Sequence, residues 1–289
     1  MTPTPIGAYP EVAAGIRRAL EEDIGQDDVT TRALVPEGQS GRAVILSRVS
    51  CVVAGLDVAR AVFAAVDARL VCETLAADGQ QVAPGAILLR LQGPLGAILT
   101  AERTALNYLQ RLSGIATRTR RFVERVRPFK TRILDTRKTT PGLRRLEKYA
   151  VACGGGTNHR MGLYDMVLIK DNHRALLRQA GIATLAAAVE TARRRAPGVP
   201  VEIEVENEAE LADALNGKPD WVLLDNMTID QLRHCVALCA GRCPLEASGG
   251  VTLENVSAIA ATGVDAISIG GLTHSATAVD LSLELEPLE

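Results

Sequence analysis

Aromatic residues make up only 3% of the 289-residue chain, too few to build a surface on which nucleic-acid bases would stack. Alanine, valine and leucine abound instead, a balance that suits helices packed on aliphatic strands. Net charge is nearly absent as well: a formal −2 points to no polyanionic partner, although basic residues bunch between Arg111 and Arg145. No stretch approaches the ~20 apolar residues needed to span a bilayer. The opening MTPTPIGAYPEV lacks the basic and apolar regions of a signal peptide. These absences predict a cytoplasmic protein with neither nucleic acid nor membrane as a partner. The six cysteines have no framework spacing and read as reduced thiols. Cys235, Cys239 and Cys243 resemble a soft-metal cluster beside His234. A four-residue step on a helix before Pro244 is also what small core-facing residues produce, so no metal is assigned to them.

What is present is ample core: 47% hydrophobic content supports one large domain or two ordinary ones, and a globular enzyme is the default reading. EVAAGIRRALEEDI has the period of an amphipathic helix. GRAVILSRVSCVVAG and ARLVCETLA read as strands around a helix near Leu56 to Val66. The first part is therefore α+β. A long helix is expected from about Leu95 to Arg125, ending before Pro128 because the residue preceding proline disfavours helix. The domain boundary is placed inside it, giving an N-terminal α+β domain over 1–112 and an α/β domain over 113–275. The C-terminal tail, about 276–289, is a candidate to pack on the first.

From Thr131 onward short aliphatic runs alternate with helices: TRILD, DMVLIK, VEIEV, WVLLD, LEAS and AISIG. Repeated βα units imply a parallel sheet, and so many imply a barrel or a doubly wound sheet. Polar residues fall at the carboxyl ends of successive strands: Arg137 and Lys138, Lys170, Glu204, Asp225, Ser248-Gly249-Gly250, and Gly270-Gly271. In a (β/α) barrel those ends converge on one mouth, whereas a doubly wound sheet gathers only those at its switch point. Six strands are counted, so the barrel is expected to be incomplete.

The two glycine pairs suit close approach of backbone N–H groups to a phosphate, although glycine also ends strands for conformational reasons. Arg137, Lys138, His159, Arg160 and Lys170 form a cationic group too dense for an interior unless it meets anions. The alternative is a solvated loop, which Lys170, directly after the apolar MVLI, argues against. The set suits a dicarboxylate together with a phosphorylated sugar. Glu204 and Asp225 are the candidate magnesium ligands. In VEIEV, Glu202 and Glu204 are expected to point to different faces, with Glu204 at the site; an ion pair with Lys170 is the alternative role for either acid.

These residues sit in longer matches. LDTRKTTPGLRRLEKYAV and CGGGTNHRMGLYDMVLIKDNH, with AERTALN around Arg103, VEIEV, LLDN, and ASGGV through IGGLTHS, resemble the quinolinate phosphoribosyltransferase family over most of the chain. The resemblance implies an N-terminal α+β domain followed by a six- or seven-stranded TIM-like α/β barrel. It also implies a homodimer whose subunits complete each other's sites, and magnesium as cofactor. The reaction it implies is phosphoribosyl transfer from phosphoribosyl pyrophosphate to quinolinate with decarboxylation, giving nicotinate mononucleotide in NAD biosynthesis.

Carried over by residue, Arg137, Lys138, His159, Arg160 and Lys170 contact quinolinate and the sugar phosphates, and Arg103 reaches in from the partner subunit. Glu204 and Asp225 hold the magnesium pyrophosphate and face the ribose hydroxyls. Lys138, Glu204 and Asp225 form the catalytic set. Ser248, Gly249, Gly250, Gly270 and Gly271 receive the 5-phosphate. One departure is RRRAPGVP, Arg193 to Pro200, which reads as a somewhat long loop. Two rivals stand beside this reading: a Schiff-base barrel aldolase using Lys170, and a non-catalytic, molybdenum-associated paralogue that shares parts of these motifs.

Overall fold

The computed structural model describes residues 5–286, so the first four residues of the opening stretch and the last three of the tail lie outside it. The chain divides into two compact units. One comprises 1–120, 139–155 and 272–289, and the other 121–138 and 156–271.

In the first unit, Pro10 opens α1 (Pro10–Ile24), where its missing N–H costs nothing. Asp28 caps α2 (Val29–Leu34) by accepting from the Thr31 amide at 2.9 Å. There follow β1 (Ser40–Ser47), β2 (Cys51–Val52), α3 (Leu56–Val66), β3 (Val71–Thr74), β4 (Gln81–Val82) and β5 (Ile87–Pro94), and then α4 (Leu95–Val126). The last helix stops two residues before Pro128, as that proline requires.

Later segments complete this unit: α5 (Arg144–Cys153) and the strand Leu281–Leu285, which pairs antiparallel with β1 from Ala43↔Leu285 to Ser47↔Leu281. That strand covers what would otherwise be an open edge of β1. Val12, Ile16 and Leu20 of α1, Val62 and Phe63 of α3, and Ile45, Leu89 and Leu91 of the sheet are buried together in this unit's core. Glu147 of α5 is also fully buried, and it accepts from Arg111 at 2.8 Å and from the Thr140 hydroxyl at 2.8 Å. Its charge is thereby paired rather than stranded.

The second unit is a six-stranded sheet of β6 (Arg132–Leu134), β7 (Val167–Ile169), β8 (Val201–Val205), β9 (Trp221–Asp225), β10 (Leu245–Ser248) and β11 (Ala266–Ser268), all parallel. All six expected strands are present. Their spatial order is β6-β11-β10-β9-β8-β7. Each strand from β7 to β11 lies beside its successor, and the first strand lies beside the last. That cyclic order belongs to the barrel progression and departs from a doubly wound sheet, which reverses at a switch point.

The helices α6 (Asp171–Gln179), α7 (Leu185–Arg195), α8 (Glu208–Asn216), α9 (Ile229–Cys239) and α10 (Val256–Ala260) fill the crossovers, and α11 (Gly271–His274) follows the last strand. Side-chain caps start three of them: Thr184, Asn207 and Thr228 each accept from the N3 amide. Arg193, Arg194 and Arg195 form the last turn of α7, where their charge complements the helix dipole. Only 196–200 of the expected long loop is therefore loop. Cys235 and Cys239 are buried in the core, while His234 is exposed and pairs with Glu208 at 3.1 Å.

Phe63 is fully buried. Phe63→Ala is expected to lower the unfolding free energy by about 3–5 kcal/mol, the usual cost of an aromatic-sized cavity. Denaturant titration checks this, and a loss under about 1 kcal/mol would mean that the first unit's core collapses around the gap.

Candidate active site

Every strand residue of β8 is buried, as expected of a parallel strand covered on both faces. Val201, Ile203 and Val205 occupy one face. Glu202 and Glu204 share the other, because residues two apart on a strand point the same way. This corrects the expectation that the two glutamates face apart; each has found a separate partner on the same face. Glu204 receives Lys170 Nζ at 2.8 Å, and Glu202 lies 2.9 Å from His159 Nε2. The ion pair expected as an alternative for Lys170 is thus formed, with Glu204. Lys170 itself is roughly half-exposed.

The register extends this polar face across neighbouring strands. Leu223 of β9 stands opposite Glu204 and Glu246, while Ser248 of β10 stands opposite both Asp225 and Ser268. Lys170, Glu204, Asp225 and Ser248 therefore lie at the carboxyl ends of β7 to β10. Asp225 is half-buried and accepts from Asn226 Nδ2 at 2.7 Å. Burial chiefly, and then the charge of Glu204, raise its pKa; Lys170 and Lys138 act in the other direction. Two carboxylates and two lysines thus share one electrostatic neighbourhood. A pair of hard-oxygen ligands that repel each other, one buried and one half-buried, fits a divalent cation such as magnesium.

A second group gathers on the segment after β6. Asp135 ends that strand fully buried and accepts from the His159 amide at 2.8 Å and Asn158 Nδ2 at 2.7 Å. Thr157 bridges to Leu134, which ties the start of this segment to the sheet. The His159 ring is nearly buried, with Nε2 also 3.4 Å from Glu246 Oε2. Burial opposes a charge on the ring, but hydrogen bonds to Glu202 and Glu246 outweigh it and push the imidazole up to about 10. The Arg160 amide donates to Nδ1 at 2.7 Å and works against that protonation, since an imidazolium has no lone pair there. With Nδ1 accepting from that amide, the ring carries its proton on Nε2, toward Glu202. Burial chiefly raises the pKa of Glu202, and Glu246 adds to the effect. Arg160 donates to the Met166 carbonyl at 3.0 Å; burial and then Arg137 lower its pKa, so Arg137 is close enough to repel it.

The glycine segment after β10 is shaped by conformation. Gly249 has φ +94°, and an added Cβ would meet Asn226 Oδ1 at 2.0 Å. Asn226 itself has φ 53° and donates its amide to the Ser248 carbonyl at 2.9 Å. Gly250 has φ +61° with open space around it, and Asn255 holds its carbonyl at 2.9 Å. Gly270 follows β11, and Gly271 opens α11.

Arg137, Lys138, His159, Arg160, Lys170, Glu204, Asp225, Ser248, Gly249, Gly250, Gly270 and Gly271 all belong to the second unit. Arg103 belongs to the first, largely exposed on α4 with Glu102 at 3.7 Å. Asp135 and Glu246 were not among the sequence candidates, and Glu202 was considered there but set aside in favour of Glu204. Their signal was an acid inside, or closing, an otherwise apolar strand: LEAS, VEIEV and TRILD each bury a carboxylate that must find a partner.

Comparison with known proteins agrees over almost the whole chain. A family model described as the N-terminal domain of quinolinate phosphoribosyl transferase matches residues 28–113, and the corresponding C-terminal domain matches 115–284. The chain is 43% identical over 277 residues to a nicotinate-nucleotide pyrophosphorylase (carboxylating) of Mycobacterium leprae, covering 93% of this chain and 95% of that protein. It is 42% identical over 265 residues to a probable enzyme of the same name from Bacillus subtilis, covering 91% and 90%. A solved nicotinate-nucleotide pyrophosphorylase from Francisella tularensis superposes with a TM-score of 0.90 at 39% identity, covering 97% of this chain and 99% of that one.

Gly249→Ala is expected to destabilise the protein by at least about 1 kcal/mol more than Gly250→Ala. Both incur left-handed backbone strain, but only the first also displaces Asn226. Equal losses in denaturant titration would show that Asn226 yields without cost.

Proposed function

The chain belongs to the quinolinate phosphoribosyltransferase family, and from that premise we propose how its second unit performs the family's reaction. The enzyme transfers phosphoribosyl from phosphoribosyl pyrophosphate to quinolinate with decarboxylation, giving nicotinate mononucleotide, pyrophosphate and carbon dioxide in de novo NAD synthesis. The observation that carries the site assignment is the gathering of Lys138, Lys170, Glu204 and Asp225 at the strand ends, beside the Arg137 and Arg160 pair. Arginine forks suit the two carboxylates of quinolinate. Arg137 and Arg160 take this role, with His159 on the same segment. Lys138 and Lys170 face the sugar and its phosphates, and Ser248, Gly249, Gly250, Gly270 and Gly271 receive the 5-phosphate.

The pyridine nitrogen carries its own lone pair, so forming the bond to ribose C1 as the C1–O bond to pyrophosphate breaks needs no strong base. The residues must instead stabilise charge. Lys138 neutralises the negative charge gathering on the departing pyrophosphate, and Glu204 and Asp225 lie near the positive charge developing at C1. Magnesium, held by Glu204 and Asp225, supplies further neutralisation of the pyrophosphate when bound. The ring nitrogen becomes a pyridinium once it is ribosylated. Its positive charge then stabilises the electron pair left on C2 when the adjacent carboxylate departs as carbon dioxide, and a proton from solvent takes the carboxylate's place at C2, so decarboxylation follows transfer. A Schiff-base role for Lys170 is disfavoured by its ion pair with Glu204, which turns the amine onto a carboxylate rather than toward a carbonyl.

A homodimer with shared sites belongs to the same proposal, and Arg103 is its cation from the partner subunit. The support is that this exposed arginine lies within the N-terminal family match while the other assigned cations lie in the C-terminal one. A reducing, cytoplasmic setting completes the reading, consistent with six free thiols. Among the described residues, no helix is long and apolar enough to cross a membrane.

Incubation with quinolinate, phosphoribosyl pyrophosphate and magnesium should yield nicotinate mononucleotide and carbon dioxide in equal amounts. Excess chelator should abolish turnover while leaving the circular dichroism spectrum unchanged, because a magnesium held by Glu204 and Asp225 would neutralise substrate charge rather than fasten the chain. Full activity in chelator would remove the metal from the mechanism, and free nicotinate as an intermediate would reverse the order of steps.

The dimer has its own test. Arg103→Ala and Lys138→Ala homodimers should each be nearly inactive, whereas random subunit exchange between equal amounts should restore roughly a quarter of wild-type sites. In each heterodimer one site carries both lesions and the other neither. No recovery after demonstrated exchange would remove Arg103 from the partner's site.

A further inference from the structure

Three buried carboxylates stand behind His159, and the mechanism above uses none of them. Asp135 holds the His159 amide at 2.8 Å, Glu202 Oε2 lies 2.9 Å from the ring Nε2, and Glu246 Oε2 lies 3.4 Å from it. The other ring nitrogen, Nδ1, receives the Arg160 amide at 2.7 Å. Both ring nitrogens are thus directed at protein groups. His159 is built to be held and to hold its neighbour, rather than to present a nitrogen to substrate.

We propose that Glu202 and Glu246 are positioning residues for quinolinate: they lock the His159 ring, whose Nδ1 fixes the Arg160 backbone and so aims the Arg160 guanidinium at a substrate carboxylate. This rests on the reading that Arg160 binds quinolinate. Each glutamate is only 1% exposed, and its Oε1 has no hydrogen-bond partner. Burying two carboxylates with half their acceptors unsatisfied costs stability, and apolar residues of similar volume would fill the space as well or better. An arrangement that costly is accounted for by what it orients. Glu202 is the nearer partner, and its charge also bears on Arg160 directly. On β8 it shares a face with Glu204, so one face of one strand serves ring orientation through one glutamate and the proposed metal through the next. The same three groups, His159, Glu202 and Glu246, converge closely enough to hold a metal ion. The 2.9 Å contact from Nε2 to Glu202 reads instead as an N–H···O bond, with a proton where that ion would sit.

Quinolinate binding to the full-length protein, measured by calorimetry without phosphoribosyl pyrophosphate, tests the proposal. E202Q and E246Q should each weaken quinolinate about tenfold, the size of one lost charge-assisted hydrogen bond. Phosphoribosyl pyrophosphate, titrated separately, should bind within about twofold of wild type. In an R160K background, which lacks the guanidinium fork but keeps a cation, the further effect of E202Q should shrink to within about twofold, because a residue acting through Arg160 has nothing left to aim.

An undiminished tenfold effect in R160K would overturn the proposal. So would quinolinate binding unchanged in both glutamine variants, or equal weakening of both ligands. If E202Q does not fold, E246Q and its R160K combination carry the same test; failure of both to fold would assign the glutamates to stability alone and overturn it. A stoichiometric transition metal in purified wild type that is lost in H159N would also overturn it, in favour of a metal centre. R160K binding quinolinate as wild type does would instead refute the placement of Arg160 at the substrate, an outcome separate from any result with the glutamates.

Discussion

A site for multiply charged anions can be built over a buried sheet only if its cations are kept from repelling one another before substrate arrives. Taking an ion out of water costs several kcal/mol after relaxation, and a like-charged neighbour adds to that cost. Arg137 and Arg160 show the problem, since burial and then Arg137 disfavour charge on Arg160. The second unit meets it with carboxylates on the polar face of its strands and at their ends: Asp135, Glu202, Glu204, Asp225 and Glu246. The cationic rim depends on this acidic floor.

Parallel pairing makes that floor possible. Strands in register with their neighbours bring position after position to the same height, so acids from β8 and β10 lie within reach of one imidazole even though β9 stands between them. The apolar positions of the same strands, such as Val201, Ile203, Leu245 and Ala247, are buried on the opposite face. One alternating pattern thus supplies both adhesion to the helices and chemistry, and a shift by one residue would exchange the two.

The architecture was legible because its signals are local. Each of the six strands is a short aliphatic run followed by a helix, and Pro128 marks the end of α4. The cations were legible for the same reason, since they cluster within TRK and HR and follow strand ends. The acidic floor was harder to read because its meaning is not local. Nothing near Glu246 in LEAS says that its partner is a histidine 87 positions earlier, as 246 − 159 gives. The expectation that Glu202 and Glu204 face apart misapplied the strand period, which brings residues two apart to one face, where each has a different partner.

This arrangement also bears on how substrate selectivity can arise. A cation whose position depends on a buried, hydrogen-bonded chain is held to a narrower range of directions than a lysine extending from a strand end into solvent. Arg160 is fixed at its amide by His159 and at its guanidinium by the Met166 carbonyl, whereas Lys138 is exposed and Lys170 is roughly half-exposed, with its amine on Glu204. Planar, bidentate recognition needs the first kind of group, and neutralising a mobile pyrophosphate needs the second. On the proposed assignment, the division between the buried His159 segment and the more exposed lysines follows the division between recognising a rigid aromatic diacid and accommodating a leaving group. On that same assignment, the carboxylates beneath the cations set the division.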